Sequence, residues 1–465
     1  MNPASQYAVE TVCQRYQAVI IELNEHRLHL AMATTPPHEM MAELRFLIPG
    51  IIDVECWPQA RLEQFRQQPT EDNTAHSPDT TTGSQNDTIE RVNQMLYTAL
   101  QQRASDIHLE PQEKGVRVRI RVDGVLQQSM TLNEDSAPFI ARLKILANLD
   151  IAERRVPQDG QFSLELGHKT ESFRLSTLPT RCGEKAVLRL LQSDTQAIAL
   201  DKLGMPTRLL QRYQQTLAKP QGLILVTGPT GSGKTFTLYS GLSWLNSPER
   251  NLCSVEDPVE IPLHGVNQTQ IHARSGLSFH RVLRALLRQD PDVIMLGEIR
   301  DSETAEIAVK AAQTGHLVLS TLHTNSTTET LVRMGQMGVP GYMLASALKL
   351  VIAQRLVRRL CPHCRQPAEA LAHFPSEIWP GTVQNWRATG CDQCFSGYYG
   401  RLALFEMLPI TPVLQNALAQ NTTPEELAKL AQNQGMEPLF VAGLHCVNRG
   451  DTTLEELTRV TGGIG

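Results

Sequence analysis

The sequence predicts an α/β fold whose largest part is a parallel sheet flanked by helices. From about Asp201 to about Leu360, short apolar runs alternate with helical segments, and the runs read "LILVT", "VIMLG" and "LVLST". Strands that alternate with helices are typical of a parallel sheet. A glycine-rich stretch, "GPTGSGKT" from Gly228 to Thr235, joins the first of these strands to a helix. The element order and this junction together predict the fold class.

Length and composition predict further modules. The 465 residues suggest about three domains at roughly 150 residues each. Residues 69–87, "PTEDNTAHSPDTTTGSQND", contain no large apolar side chain and predict a flexible linker. The predicted parts are a small N-terminal α/β docking module at 1–68, the linker, a second N-domain at 88–200, and a large domain at 201–465 with an insertion at 361–401.

Local patterns support the first two folded modules. In the first, "AVIIELNEHRLHLAMA" predicts two strands around "NEH", and "HEMMAELRFL" predicts an amphipathic helix. In the second, "VRVRIRV" from Val116 alternates apolar and basic residues, as a half-buried strand does, and Asp123-Gly124 predicts a hairpin turn.

Charge and hydropathy limit the possible functions. The formal net charge is −5, so bulk electrostatics does not favour a nucleic-acid partner. The N-terminus lacks the basic and apolar regions of a secretory signal. The apolar stretch "FLIPGIIDVECW" is interrupted by Pro49, Gly50 and Asp53, well short of the ~20 residues of a membrane span. We therefore expect a cytoplasmic protein, with any membrane role exerted through a partner or a surface patch.

The glycine-rich stretch fits the nucleotide phosphate-binding pattern G-x4-G-K-T, with a strand before it and a helix after it. Its glycines allow backbone N–H groups to face phosphate oxygens. Lys234 is expected to neutralise the β- and γ-phosphates, and the Thr235 hydroxyl to bind Mg²⁺. The predicted binding residues are Gly228, Pro229, Thr230, Gly231, Ser232, Gly233, Lys234, Thr235 and Phe236.

Two acids and one histidine follow strand-like runs, and a second histidine precedes one. Glu256 ends "LCSVE", and Glu298 follows "VIMLG". Strand C-termini converge on the ligand crevice of an open α/β sheet, so both acids could reach the phosphates. His316 and His323 bracket "LVLSTL" and could sense the γ-phosphate or link neighbouring sites. The alternatives are surface carboxylates and ordinary histidines at a strand edge.

Four of the nine cysteines form two pairs, "CPHC" with Cys361 and Cys364 and "CDQC" with Cys391 and Cys394. Four thiolates favour a tetrahedral Zn²⁺ site with a structural role. The alternative is one redox-active pair beside an unrelated one.

A basic stretch, "QRLVRRLCPHCR", precedes and overlaps the first pair. The preferred interpretation of its arginines, Arg355, Arg358, Arg359 and Arg365, is a solvated helix end that complements the helix dipole. The alternative is docking to anionic lipid or to a membrane protein.

Taken together, the motifs resemble one family. The blocks "GPTGSGKTFTLY", "VEDPVE", "LLRQDPDVIMLGEIRD" and "TGHLVLSTLHTN" occur in that order, after "ASDIHLEP" and "RVPQDGQ". This set resembles the ATPases of type II secretion and type IV pilus assembly machines over about residues 88–465. The short first module favours the smaller pilus-assembly members.

The resemblance implies a homo-hexameric, Mg-dependent ATPase with a PAS-like second N-domain and a RecA-like C-terminal domain. It implies a partner in the inner-membrane platform protein, together with other assembly proteins of the machine, and a peripheral position at that membrane. The tetracysteine module implies the assembly branches rather than retraction motors.

The resemblance also implies roles for residues of this chain. Lys234 and Thr235 belong to Walker A, Glu256 would activate water, Glu298 would be the Walker B acid, and His323 the main His-box residue. Arg174 and Arg189 would reach the nucleotide from the second N-domain, and Arg284 and Arg288 would lie near the active-site interface. Phe236 departs from the family, which has a small hydroxyl residue at that position.

Two other functions stay open at this point. One is a nucleotide-binding scaffold of the same machine with little turnover, for which Phe236 is the only support. The other is a RecA-like nucleic-acid motor, although the net charge and the lack of an aromatic-basic stripe argue against it.

Overall fold

The computed structural model describes residues 83–132, 134–166, 169–191, 199–272, 276–369 and 371–463, with parts of the first 62 residues. The chain divides into two compact units, Met1–Thr80 and Thr81–Gly465. Most of the predicted linker and most of the predicted helix in "HEMMAELRFL" lie outside the described residues.

The first unit contains a three-stranded sheet in the order β1-β2-β3. β1 and β2 run antiparallel, as predicted, and β3 pairs parallel with β2. Leu28 and Leu30 of β2 are fully buried in a small core with Met40 and Leu44. The strands are β1 (Val19–Leu23), β2 (Arg27–Met32) and β3 (Ile51–Cys56).

The second unit begins with a six-stranded antiparallel sheet in the order β6-β5-β4-β9-β8-β7. α1 starts inside the segment predicted as a linker. The predicted alternation of β5 is confirmed, because its valines and Ile120 are buried and its arginines face outward. The elements are α1 (Gly83–Gln101), β4 (Ala104–Pro111), β5 (Val116–Val122), β6 (Val125–Leu132), α2 (Ala137–Leu146), β7 (Gln158–Leu166), β8 (Lys169–Thr180) and β9 (Gly183–Leu191).

A seven-stranded sheet in the order β12-β11-β13-β14-β10-β15-β20 follows, and it is parallel except for the antiparallel edge strand β20. The predicted α/β class is thus confirmed. Its elements are a 3₁₀ helix (Leu200–Leu203), α3 (Thr207–Leu217), β10 (Gly222–Thr227), α4 (Lys234–Leu245), β11 (Leu252–Glu256), β12 (Asn267–Gln270), α5 (Phe279–Leu286), β13 (Val293–Leu296), α6 (Ser302–Gln313), β14 (Leu317–Leu322), α7 (Thr327–Gln336), α8 (Gly341–Ala347), β15 (Leu348–Leu360) and β20 (Tyr398–Pro409).

The strands β10, β13 and β14 are fully buried, which explains their mainly apolar sequences. Between β15 and β20 the chain forms two short hairpin-like pairs, β16 with β19 and β17 with β18. Four helices close the chain. These elements are β16 (Gln366–Pro367), β17 (Ala372–His373), β18 (Thr382–Val383), β19 (Trp386–Arg387), α9 (Pro412–Ala419), α10 (Pro424–Asn433), α11 (Leu439–Arg449) and α12 (Leu454–Thr461).

No helix in the described ranges is long and apolar enough to cross a membrane.

Candidate functional site

The loop after β10 has the backbone that its glycines allow. Gly228, Gly231 and Gly233 have φ angles of 149°, 79° and 86°, a region that disfavours other residues. A Cβ atom on Gly228 would lie 2.5 Å from both the Gln354 carbonyl oxygen and Ser232 Oγ. Residues 228–233 therefore form a tight turn that leads directly into the N-terminus of α4, where backbone N–H groups are free to bind an anion.

Two polar side chains of the loop are positioned for phosphate. The buried Lys234 Nζ donates to the carbonyl oxygens of Gly228, at 2.8 Å, and Pro229, at 3.1 Å. Burial lowers the pKa of Lys234 to about 8, although the charge of Glu298 opposes this shift. Ser232 Oγ is buried without a hydrogen-bond partner among the described residues. A buried ammonium without a carboxylate partner beside an unsatisfied hydroxyl fits a bound triphosphate, because phosphate oxygens would satisfy both groups. Thr235 follows in the first turn of α4, half-buried.

Glu298 and His323 meet at the same edge of the sheet. They follow β13 and β14, which are parallel neighbours with Leu296 opposite Ser320. The distance from His323 Nε2 to Glu298 Oε2 is 3.3 Å, and Arg300 also donates to Glu298. Although burial opposes the change, these contacts hold the pKa of Glu298 below its ordinary value. A carboxylate kept ionised beside Lys234 suits a group that holds Mg²⁺.

Glu256 has a different environment from the one predicted. Its side chain is 1% exposed, and three neutral donors bind it. Ser254 Oγ and Gln268 Nε2 donate to Oε1 at 2.6 and 3.1 Å, and the Tyr239 hydroxyl donates to Oε2. Because both carboxylate oxygens are occupied inside the core, this geometry conflicts with the predicted role of Glu256 in activating water.

Glu260, four residues later, was not predicted. Its carboxylate is exposed, yet crowding by the surrounding protein raises its pKa; Arg189 and Lys234 oppose that shift, and Glu256 adds to it. An acid with a raised pKa, near the loop lysine, is a better candidate for proton transfer than Glu256. The repeat of glutamate in "VEDPVE" was the available signal, but the spacing alone did not show which of the two glutamates is buried.

The basic stretch at 355–359 is wrongly predicted as a helix end. It lies in β15, and Arg355 is buried rather than solvated. The Arg355 guanidinium donates to the carbonyl oxygen of Gln354 and to Asn325, at 3.0–3.2 Å, and it lies 3.1 Å from the position of a Cβ on Gly228. This cation lies directly against the phosphate loop.

The remaining basic residues of that stretch have separate environments. Arg358 pairs with the buried Glu456 at 2.8 Å and stacks on Tyr398, and Arg365 stacks on Trp386. Arg359 is exposed. The Thr453 side chain caps α12 by accepting a hydrogen bond from the backbone N–H of Glu456. The Glu456 carboxylate binds Arg358 and Arg459 instead of the backbone N–H of Thr453.

Arg174 and Arg189 lie directly opposite each other on β8 and β9. Like charges in that position are destabilising unless an anion lies between or beside them. Arg189 Nε donates to Asp106 Oδ1 at 2.8 Å, while Arg174 is only 4.0 Å from Asp159. The charge of Arg189 also opposes the rise in the pKa of Glu260.

Three other predicted residues have their contacts with residues outside the loop in the described part of the chain. His316 lies at the start of β14, where its carbonyl accepts from Gly222 at the start of β10. The six strand residues between His316 and His323 span about 20 Å, which argues against contact with the phosphates. Arg284 pairs with Glu303 at 2.8 Å, and Arg288 donates to the Arg284 carbonyl. Their role at an interface between copies stays a prediction.

The four cysteines converge. The Sγ–Sγ distances are 3.8 Å between Cys361 and Cys391, 3.7 Å between Cys364 and Cys394, and 3.6 Å between Cys391 and Cys394, and all four sulfurs lie within 4.8 Å of one another. A tetrahedron with Zn–S bonds of about 2.3 Å has edges of about 3.8 Å. The residues therefore fit a zinc ion with no open coordination position.

Fold and site define a protein with a nucleotide-type phosphate loop on a mixed α/β fold. The family model described as "Type II/IV secretion system protein" matches residues 82–459, and the chain belongs to this family. It is 53% identical over 457 residues to the protein transport protein HofB homolog of Escherichia coli K12, covering 97% of both chains. It is 49% identical over 379 residues to the type IV pilus assembly ATPase PilB of Pseudomonas aeruginosa, covering 80% of this chain and 67% of that one.

Solved structures show the same fold. A crystal structure of the pilus retraction motor PilT with bound ADP matches with a TM-score of 0.56 and 26% identity, over 79% of this chain and 96% of that one. The ATPase DotB of Legionella pneumophila matches with a TM-score of 0.59 and 20% identity, over 84% and 100%.

Proposed function

We propose that this protein is a Mg-dependent ATPase that powers assembly of a type IV pilus or a type II secretion pseudopilus. One observation carries the proposal. The buried side chains of Lys234 and Ser232 lie in one glycine-rich loop at the N-terminus of α4, and the paired side chains of Glu298 and His323 lie beside it. The family membership and the names of the relatives support the same function.

The chain's own residues divide the work as follows. Backbone N–H groups of the loop and Lys234 would hold the phosphates, and Thr235 and Glu298 would hold a magnesium ion, which would supply positive charge to neutralise the phosphates. His323 keeps Glu298 oriented. Glu260 accepts the proton of the attacking water. Arg189 and Arg174 stabilise the charge that develops during phosphoryl transfer, since a guanidinium is permanently charged and matches phosphate geometry.

Arg174 and Arg189 lie on the antiparallel sheet, whereas the phosphate loop follows a strand of the parallel sheet. ATP hydrolysis therefore depends on how these two sheets are positioned relative to each other. We propose that residues 88–200 form the PAS-like domain and residues 201–465 the RecA-like domain, and that six copies assemble into a ring. Domain movement during turnover is passed to an inner-membrane platform protein, with the motor in the cytoplasm at that membrane. The zinc ion has a structural role.

The test is made in the native host. The chromosomal gene is replaced by one encoding Lys234→Ala, and surface fibres and secreted protein are measured beside the wild type. The control is Lys310→Ala, which removes an exposed helix lysine that pairs with Glu306. We expect loss of fibres or of secretion in the Lys234→Ala cells alone. Normal fibres and secretion in those cells would overturn the proposal.

Biochemical rivals are separated by two further measurements. Purified hexamer that binds ATP but hydrolyses it no faster than Lys234→Ala would favour a scaffold. Tight DNA binding that weakens steeply with salt would favour a nucleic-acid motor.

A further inference from the structure

A large cavity begins at the phosphate loop. It has a volume of about 1030 Å³, and the residues that line it include Gly233, Phe236, Leu356, Arg401 and Leu404. A second cavity, of about 260 Å³, lies between α2 and the β8–β9 turn and includes no loop residue. Of these two cavities, only the first can receive the rest of a molecule whose phosphates occupy the loop.

Phe236 is the aromatic lining residue closest in sequence to the loop. It follows Thr235 in the first turn of α4, two residues after Lys234. Its ring is half-buried and packs against the core cluster that includes Leu238, Leu242 and Phe405. That packing holds the ring in place and leaves part of it in the cavity.

The lining beside the loop is both polar and apolar. A Cβ atom on Gly233 would lie 2.8 Å from Gln354 Nε2 and 3.7 Å from Leu356 Cδ1, so an amide and an aliphatic side chain both lie next to the last loop glycine. Leu404, on the neighbouring strand, is 2% exposed. The exposed side chains of Arg359 and Arg401 line the same cavity, and neither has an ion-pair partner in the described part of the chain. A cavity whose lining includes an aromatic ring, aliphatic side chains and two arginines suits a flat heteroaromatic ring.

We propose that Phe236 stacks on the purine base of the bound nucleotide and thereby sets how much of the affinity comes from the base rather than from the phosphates. This rests on the proposed function, because it places a nucleoside triphosphate in the loop. A base that stacks on an aromatic side chain gains about 1–3 kcal/mol, which corresponds to about 5- to 150-fold in Kd.

The experiment measures binding, not turnover. Calorimetric Kd values are determined for Mg-ATP and for Mg-tripolyphosphate with the full chain and with Phe236→Leu and Phe236→Tyr. The leucine keeps the apolar contact with the core but has no aromatic face, and the tyrosine keeps the ring. Thermal melting of each variant verifies that it is folded.

We expect Phe236→Leu to weaken ATP binding at least fivefold and to leave tripolyphosphate binding unchanged, and Phe236→Tyr to behave like the wild type. Unchanged ATP binding in Phe236→Leu would overturn the inference. Equal weakening of both ligands would also overturn it, because Phe236 would then act on the loop itself. A wild-type chain that binds ATP without hydrolysing it would contradict the proposed function but not the inference about Phe236. A wild-type chain that binds neither ligand would overturn both.

Discussion

The Asp123 carboxylate accepts a hydrogen bond from the backbone N–H of Gly400, with 2.9 Å between N and Oδ2. Asp123 lies in the turn between β5 and β6, whereas Gly400 lies in β20, six residues after Cys394. Arg103 joins this contact by pairing with Asp123 at 3.0 Å and stacking 3.9 Å over the ring of Tyr399. Phe395, next to Cys394, packs against the core of the antiparallel sheet. The tetracysteine module is therefore in direct contact with the sheet that carries Arg174 and Arg189.

Loss of this contact should weaken the attachment of the tetracysteine module to the antiparallel sheet. In Asp123→Ala we expect faster hydrogen exchange at residues 398–401 and at the β5–β6 turn, because the acceptor for the Gly400 N–H and the partner of Arg103 are both lost. Mass spectrometry of exchanged peptides measures this. Glu113→Ala is the control, since Glu113 is 78% exposed and pairs only with Arg181 among the described residues. Identical exchange in all three proteins would show that the contact does not hold the parts together.

Removal of the zinc ion should also destabilise the protein. We expect the purified protein to contain about one zinc ion per chain, and Cys394→Ser to lose it. The variant should melt at a lower temperature, because metal binding contributes directly to folding of such modules. Cys182→Ser, whose cysteine lies outside the cluster, serves as the control. Elemental analysis that finds no zinc in the wild type, or full zinc in Cys394→Ser, would contradict the assignment.

The two glutamates of "VEDPVE" should respond differently to the same change. Glu256→Gln replaces an acceptor that binds three donors in the core, and we expect it to lower the free energy of unfolding by about 1–3 kcal/mol. Glu260→Gln should leave stability unchanged and slow hydrolysis by about 10²- to 10⁴-fold, with ATP affinity preserved. Denaturant melts and phosphate release measure these effects. The assignment fails if Glu260→Gln keeps full turnover.

Nucleotide affinity should depend on pH through Lys234. Its pKa in the folded chain is about 8, lowered from 10.5 by burial. Between these values the unfolded chain binds more protons, so this group's contribution to stability rises as pH increases from about 8 to about 10.5. Phosphate binding requires the charged ammonium, so ATP affinity should fall as pH rises above about 8. Lys234→Arg stays charged and should show no such fall between pH 7 and 9.5; equal slopes would exclude Lys234 as the titrating group.

The loop, Glu298 and His323 could be predicted from the sequence because each follows a buried, mainly apolar strand in a parallel sheet, and strand C-termini meet at one edge. The same reasoning could not tell which of Glu256 and Glu260 is buried. Glu256 can be buried because three donors, from Tyr239, Ser254 and Gln268, bind its carboxylate in the folded core.

The burial of Arg355 in a strand could not be predicted for a related reason. A run of arginines and apolar residues fits an amphipathic helix as well as a buried strand, and only pairing of β15 with β10 and β20 decides between them. His316 was placed near the phosphates because it precedes the same strand that His323 follows, but the length of that strand separates them.

The proposed ATPase function is tested by measuring phosphate release from ATP by the purified full chain, with and without Mg²⁺, beside Lys234→Ala and Arg189→Ala. We expect Mg-dependent release by the wild type, none above background for Lys234→Ala, and a reduction of at least tenfold for Arg189→Ala with the fold intact. Release by Lys234→Ala at the wild-type rate, or release that does not depend on Mg²⁺, would contradict it.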